Sequence, residues 1–235
     1  MHATCIQAAH YDTTVSPGPQ TTEHELLPRG RSAAERAYDY VKARLLDGRF
    51  PGGTLLSENE LSQRLGVSRT PVRQAFVQLE AEELLELYPR RGALVVPISA
   101  SEADDVLEAR QLIEEHAVRR VEPGEALLGE LREAIAEQET TLADGGKGFN
   151  FADRHFHHAI VAAAGNVLLT RQYDQLRDRH QRIAAAAVAG DPARLPRFIE
   201  EHRQIVAALE RGDSDAAGKL MGAHLQGAHE LARRR

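Results

Sequence analysis

Five turn signals divide residues 99–235 into six stretches of helical length, and none of these stretches alternates in hydropathy like a strand. The signals are Pro123-Gly124, Asp144-Gly145-Gly146, Gly165-Asn166, Gly190-Asp191-Pro192 and Gly212-Asp213. They predict helices near 101–121, 125–143, 149–164, 167–188, 194–211 and 214–232, lengths ordinary for a helical bundle. Composition points the same way. The chain is 42% hydrophobic but only 5% aromatic, with no Trp, so its core is expected to be aliphatic, which favours helices over a β-sandwich. The single cysteine, Cys5, excludes an intramolecular disulfide framework and any zinc finger built on several cysteines. No apolar run reaches the length of a membrane span, and the N-terminus lacks the cationic start and apolar stretch of a signal peptide. The expectation is a soluble cytoplasmic protein.

The net charge of −6 argues against nucleic acid only until it is divided along the chain. Residues 1–30 carry one Arg against three acids and few apolar anchors, and read as a disordered tail. Residues 31–98 carry ten Lys/Arg against nine Asp/Glu, and residues 99–235 carry 18 against 23. Histidine divides more sharply, with three in the tail, none in 31–98 and eight in 99–235. Two domains of different chemistry are expected, meeting near Pro97-Ile98-Ser99. Pro97 cannot continue a strand ladder or sit inside a helix, and Ser99 with Glu102 has the spacing of a capping box.

Within 31–98, Ser32 to Leu46 reads as a helix, ended by Asp47-Gly48. Ser57 caps Glu58 to Leu65, Gly66 breaks that helix, and the chain re-enters a helix at Ser68 with Pro71 in its first turn. Two helices joined by a tight Gly turn are the helix-turn-helix arrangement. Leu84 to Tyr88 and Ala93 to Val96 are strand-like and joined by Pro89-Arg90-Arg91-Gly92, a β-hairpin wing with two arginines at its tip. Arg69 and Arg73 stand four apart on the opening turns of the second helix, the end that enters the major groove in such motifs. Arg is the side chain best shaped to bridge guanine O6 and N7. Ser68 and Thr70 can donate to phosphate oxygens near the helix N-terminus, and Arg90 and Arg91 can reach the minor groove or backbone. The alternative is that these arginines are solvated surface charges.

In the C-terminal part the 3.6-residue period places Asp153 and His157 on one stripe with Phe149, Phe156 and Ile160. His202 falls amid Phe198, Ile199, Ile205, Val206 and Leu209, and His224 amid Ala217, Leu220, Met221, Ala228 and Leu231. Each alone reads most simply as a hydrogen-bonded core histidine. One carboxylate and three imidazoles converging from three helices read as ligands of a divalent transition metal, Zn²⁺ or Ni²⁺ above all. His155, His158, His180 and His229 fall off the apolar stripes and are expected to be exposed, and His116 is ambiguous. Arg110 lines up with Val106, Ile113 and Ala117 and is expected to point inward, against either a carboxylate ligand or an internal acid such as Asp153 or Glu114.

Phe50-Pro51-Gly52-Gly53-Thr54-Leu55, Ser57-Glu58-Asn59-Glu60-Leu61 and Leu65-Gly66-Val67-Ser68-Arg69-Thr70-Pro71-Val72-Arg73 closely resemble the winged helix of GntR-family bacterial transcription regulators. That resemblance implies base contacts from Arg69 and Arg73, phosphate contacts from Ser68, Thr70 and Pro71, and close approach of the wing tip to the groove at Gly92. Asn59 departs from it, standing where some members carry a DNA-contacting arginine. Phe151-Ala152-Asp153-Arg154-His155-Phe156-His157, Ala163-Ala164-Gly165-Asn166, Glu201-His202 and Met221-Gly222-Ala223-His224 resemble the FCD domain of the FadR subfamily, as does Glu108-Ala109-Arg110. This implies an antiparallel six-helix bundle that binds an effector, with Asp153, His157, His202 and His224 as metal ligands and Arg110 facing the effector cavity. The expected function is a repressor that binds double-stranded operator DNA as a homodimer and senses a small carboxylate. A metal-ion sensor without organic effector, or less simply a metal-dependent hydrolase, is the alternative; no nucleophile motif or separate general base supports the last.

Overall fold

A computed structural model of the chain describes residues 31–146 and 148–233. The expected tail, residues 1–30 with Cys5, lies outside them.

The N-terminal half begins with α1 (Ala33–Leu46), which is held by a full capping box between Ser32 and Glu35. A two-residue strand β1 (Leu55–Leu56) leads into α2 (Glu58–Leu65), capped by the Ser57 side chain. Gly66 ends α2 in the left-handed conformation at φ 63°, and α3 (Arg69–Ala81) follows after three residues. Strands β2 (Leu85–Tyr88) and β3 (Gly92–Val95) form the wing. All three strands make one antiparallel sheet in the order β1-β3-β2, with Leu55 opposite Leu94 and Leu85 opposite Val95. The sequence reading had no β1, because two residues are too short to show alternation. The core of this half joins Ala37, Val41 and Leu45 of α1 to Val72, Phe76 and Leu79 of α3 and to Ala93 and Val95 of the sheet.

Gly92 sits at φ 115° and packs against the backbone of β1, where an added Cβ would collide with the Leu56 carbonyl oxygen. The resemblance assigned this glycine to groove approach; the structure gives it a role inside the sheet. Gly92→Ala is expected to cost about 1–3 kcal/mol from backbone strain alone, read as a lower urea midpoint, with the wing displaced.

The C-terminal half comprises six helices: α4 (Ala100–Arg120), α5 (Glu125–Ala143), α6 (Phe149–Ala163), α7 (Val167–Gly190), α8 (Leu195–Glu210) and α9 (Ser214–Arg233), with a 3-10 turn at Pro192–Arg194. Ser99 accepts a hydrogen bond from the Glu102 N–H and starts α4 two residues after Pro97. Asn166 caps α7 by accepting from the Leu168 and Leu169 N–H groups. Phe149, Phe156, Ile160, Leu195, Ile199, Ile205, Leu209 and Met221 are almost wholly buried and form an aliphatic and phenylalanine core. Among the described residues no helix is long and apolar enough to cross a membrane.

The two halves touch mainly along α7. Asp178 pairs with Lys42 of α1 at 2.8 Å, and Lys42 also binds Glu82 just beyond α3 at 2.7 Å. Arg179 pairs with Glu83 and, at 3.1 Å, with Glu102 of α4. Arg182 donates to the Val96 carbonyl in the connecting segment. Single exposed pairs contribute little, but these are grouped within two turns of one helix.

Candidate functional site

Four side chains from three helices meet in the bundle. Asp153 and His157 stand one turn apart on α6, His202 lies in the middle of α8 and His224 in α9. One ligand-type atom from each lies within 4.8 Å of the other three. The Nε2 atoms of His202 and His224 are 3.2 Å apart. Asp153 Oδ1 lies 3.6 Å from His202 Nε2 and 3.7 Å from His157 Nε2. All three imidazoles are buried, while Asp153 is partly exposed at one side of the cluster. The inward positions read from the apolar stripes are those the fold adopts.

The opposite ring nitrogens are held from outside the cluster. His202 Nδ1 is 2.8 Å from Gln138 Oε1, His224 Nδ1 is 2.8 Å from Glu201 Oε2, and His157 Nδ1 is 2.5 Å from Glu114 Oε2. The Gln138 and Glu201 acceptors favour the tautomer with its proton on Nδ1, which leaves the Nε2 lone pairs of His202 and His224 directed at the common centre. Outer acceptors on ligand imidazoles are the arrangement that orients metal-binding histidines. His157 Nε2 is buried without a hydrogen-bond partner, and the close Nδ1–Glu114 Oε2 approach lacks hydrogen-bond alignment; an unpartnered ring nitrogen is costly unless a cation meets it. The donor set therefore fits a divalent transition metal. Sequence reasoning did not identify the outer acceptors Glu114, Gln138 and Glu201 as part of this centre.

Arg110 points inward as expected, 2% exposed. Its Nε donates to Glu114 Oε1 at 2.6 Å, so of the two acids weighed from sequence Glu114 is the partner. Burial alone would raise the Glu114 carboxyl, but the Arg110 charge, followed by His157, holds it well below the usual carboxylate range. The Arg110 Nη1 group abuts His180 Nε2, while Nη2 is buried with no hydrogen-bond partner. His180 corrects the sequence expectation. It is 8% exposed rather than surface-facing, because α7 turns it onto Arg110. His155 and His158 are half-buried, near Glu130 and Asp174 respectively, and His116 is exposed. The His229 side chain lies outside the described ones. Arg110, Asp153, His180 and His224 share a cavity with Phe149, Asn150 and the apolar side of α7.

Burial, the largest influence, pushes His202 and His180 well below the imidazole value of 6.5, and pushes His224 below it as well. These rings stay neutral in the fold but titrate near 6.5 once unfolded, so the unfolded chain binds more protons below that pH. Stability is therefore fully present above pH 6.5 and is lost as the pH falls below it. Each ring contributes up to about 1.4 kcal/mol per pH unit. Urea midpoints of the metal-free chain at pH 7.5 and 5.5 check this.

The second candidate site is a concave face of the N-terminal half, lined by Glu58, Asn59, Arg69, Arg73, Arg90 and Arg91. Ser68 occupies the N-cap position of α3 without a side-chain cap bond, and with Thr70 it lies exposed beside the half-buried Pro71. Arg69 leans on Glu58 at 3.3 Å, a contact the sequence did not signal. Arg90 takes the left-handed conformation at φ 65° at the tip of the wing. That conformation is uncommon for a non-glycine residue.

Residues 33–95 match the bacterial regulatory proteins of the gntR family, and residues 105–227 match the FCD domain. A Paenarthrobacter nicotinovorans protein named "Probable D-xylose utilization operon transcriptional repressor" is 31% identical over 83% of this chain and 86% of its own length. The Uxu operon transcriptional regulator of Escherichia coli is 29% identical over 84% of this chain and 87% of its own. The solved structure of E. coli McbR/YncC superposes with a TM-score of 0.70 at 23% identity, over 86% of this chain and 97% of that one, and supports the fold. With both halves matched and its relatives named as transcription regulators, the chain is a DNA-binding regulator rather than an enzyme, and it belongs to the GntR family with an FCD domain as its second half.

Proposed function

We propose that this regulator is a repressor that binds double-stranded operator DNA as a homodimer and loosens its hold when a small carboxylate enters the bundle. The observation that carries the reading is the buried, unpartnered Arg110 Nη2 beside the Asp153, His157, His202 and His224 cluster. A guanidinium nitrogen without an acceptor in a shared cavity calls for an anion. Asp153, His157, His202 and His224 would hold Zn²⁺ or Ni²⁺, which would offer the carboxylate an open coordination position. Repressor activity is supported by the names of relatives, among them the E. coli HTH-type transcriptional repressor RspR, 28% identical over 91% of this chain and 94% of its own. Two winged helices in a dimer would meet two half-sites of a near-palindrome. Arg69 and Arg73 would read bases, Ser68, Thr70 and Pro71 would lie along phosphates, and Arg90, Arg91 and the Gly92 turn would approach from the wing.

The route between the two sites runs through α7. His180 abuts Arg110, while Asp178, Arg179 and Arg182 on the same helix hold the DNA-binding half. An anion that reorients Arg110 would bear on His180 and thereby on those ties, favouring one of two placements of the winged helices.

The test is a mobility-shift titration on DNA upstream of the protein's own gene, with metal-loaded and chelated full-length protein and a panel of small carboxylic acids. Specific retardation relieved by one class of acid is expected. Retardation on no such DNA would count against the reading, and release governed by metal concentration alone would favour the metal-sensor alternative. Arg179→Ala, which removes the ties to Glu83 and Glu102, is expected to bind the acid as before while the acid's effect on operator affinity shrinks.

A further inference from the structure

The cavity beside Arg110 also limits the chemistry of its ligand. We propose that the effector is a short monocarboxylate with an apolar body, and not a sugar acid or a dicarboxylate; this rests on the effector reading above. Three observations carry it.

The first is the supply of positive charge. Among the described residues that line the cavity, Arg110 is the sole Lys or Arg. Its Nε is committed to Glu114 and its Nη1 faces His180, so Nη2 alone is left to donate. With a divalent ion among the four ligands, and Glu201 offset by Arg197 at 2.8 Å, the charges of the ion and Arg110 exceed those of Asp153 and Glu114 by a single unit. One carboxylate neutralises that excess. A second would lie in the bundle without a cation, a costly burial.

The second is the lining. Eight of its thirteen residues are apolar, among them Leu107, Phe149, Ile183, Ala187, Val188 and Phe198. Apart from Arg110, Asp153 and the two histidines, Asn150 is the one polar side chain. A methyl or short alkyl group is at home against this wall. The several hydroxyls of a sugar acid would lose water and find one amide between them, and an unmade hydrogen bond in an apolar site is a strong basis for rejection.

The third is size. The cavity measures about 40 Å³, the room of roughly three water molecules on the same measure. That holds a carboxylate and the first atoms beyond it, the rest of a short acid lying toward the mouth, and a longer or branched polar chain must displace the wall.

Calorimetric titration of the metal-loaded full-length protein with pyruvate, L-lactate and butyrate, against D-gluconate, D-glucuronate and succinate, decides the matter. At least one of the first three is expected to bind ten or more times tighter than any of the last three. Arg110→Gln should abolish that binding. Because this change leaves Glu114 unpaired and can unfold the bundle, Ala184→Leu, which narrows the cavity, provides the second test. It should keep the metal and lose the acid. Equal or tighter binding of gluconate, glucuronate or succinate overturns the monocarboxylate assignment while leaving the effector reading intact. Acid binding unaffected by Ala184→Leu would show that this cavity is not the site. Silence toward all six acids, with operator affinity equally unmoved, overturns the assignment and the effector reading together.

Discussion

Arg73→Ala is expected to weaken operator binding about 5- to 150-fold for each half-site, because a bidentate arginine–guanine pair contributes about 1–3 kcal/mol of discrimination. In a homodimer both half-sites lose the contact, so the loss for the whole operator approaches the square of that factor. Arg73 is exposed on α3, one turn beyond Arg69, and lines the same concave face as the wing arginines. Its side chain supports no core contact, so the melting temperature should stay within the small range of surface substitutions. Arg69→Ala is expected to cost less, since Arg69 already spends part of its hydrogen-bonding capacity on Glu58 at 3.3 Å, and that tie must loosen before it reaches a base. Arg90→Ala and Arg91→Ala should behave differently again. Contacts to phosphate weaken all sequences alike and lower the dependence on salt by about one unit of slope for each contact removed. Fluorescence anisotropy against the operator and a scrambled duplex, at two salt concentrations, separates these cases. Arg73→Ala binding both duplexes as tightly as the parent chain does would refute base readout by this residue.

The helices were legible in the sequence because their ends are chemically marked. Gly66, Gly165-Asn166 and Gly212-Asp213 sit at breaks the structure places within about two residues of expectation. The convergence of one carboxylate and three imidazoles was legible for a related reason. Asp153, His157, His202 and His224 interrupt strong apolar stripes, and a polar residue on such a stripe must face the bundle. The same logic failed where the stripe is weak or the partner lies on another helix. On α7 His180 stands among Arg177, Asp178, Arg179, Gln181 and Arg182, so no apolar stripe marks it as inward, and its burial follows from Arg110 across the gap rather than from its own neighbours. Glu114 is wholly buried, yet in sequence it is one acid among many on α4, and what buries it is the pairing with both Arg110 and His157. Gln138 and Glu201 were hidden likewise, since their purpose is set by imidazoles 64 and 23 residues away. The ties between α7 and the N-terminal half are ion pairs and a side-chain bond to the Val96 carbonyl, which no hydropathy pattern records.

Removing the metal is expected to lower the Tm by about 5–10 °C. A site loaded at a hundred times its dissociation constant adds about 2.7 kcal/mol to the folded state, and a chain of this size shifts by about 2–4 °C per kcal/mol. The geometry explains why the metal-free cluster is strained. His202 and His224 each donate through Nδ1, to Gln138 and Glu201, so their Nε2 lone pairs face one another at 3.2 Å with the Asp153 carboxylate 3.6 Å from His202 Nε2. Protonating one ring would relieve the repulsion, but burial opposes the charge on both. A cation satisfies all the lone pairs at once. His202→Ala should go further than chelation, because it loses the ion and also the stacking of the ring on Phe156, whose centroid lies 4.1 Å away. Removing a buried side chain of this kind costs a further few kcal/mol, on the order of 2–4. Metal content by mass spectrometry, read beside thermal melts of parent, His202→Ala and Arg73→Ala proteins, tests the assignment. Arg73→Ala should keep both its metal and its Tm while losing DNA, and His202→Ala should lose metal first. A parent chain that takes up neither Zn²⁺ nor Ni²⁺, and melts identically with and without chelator, would show that these imidazoles are a hydrogen-bonded core and not a metal centre.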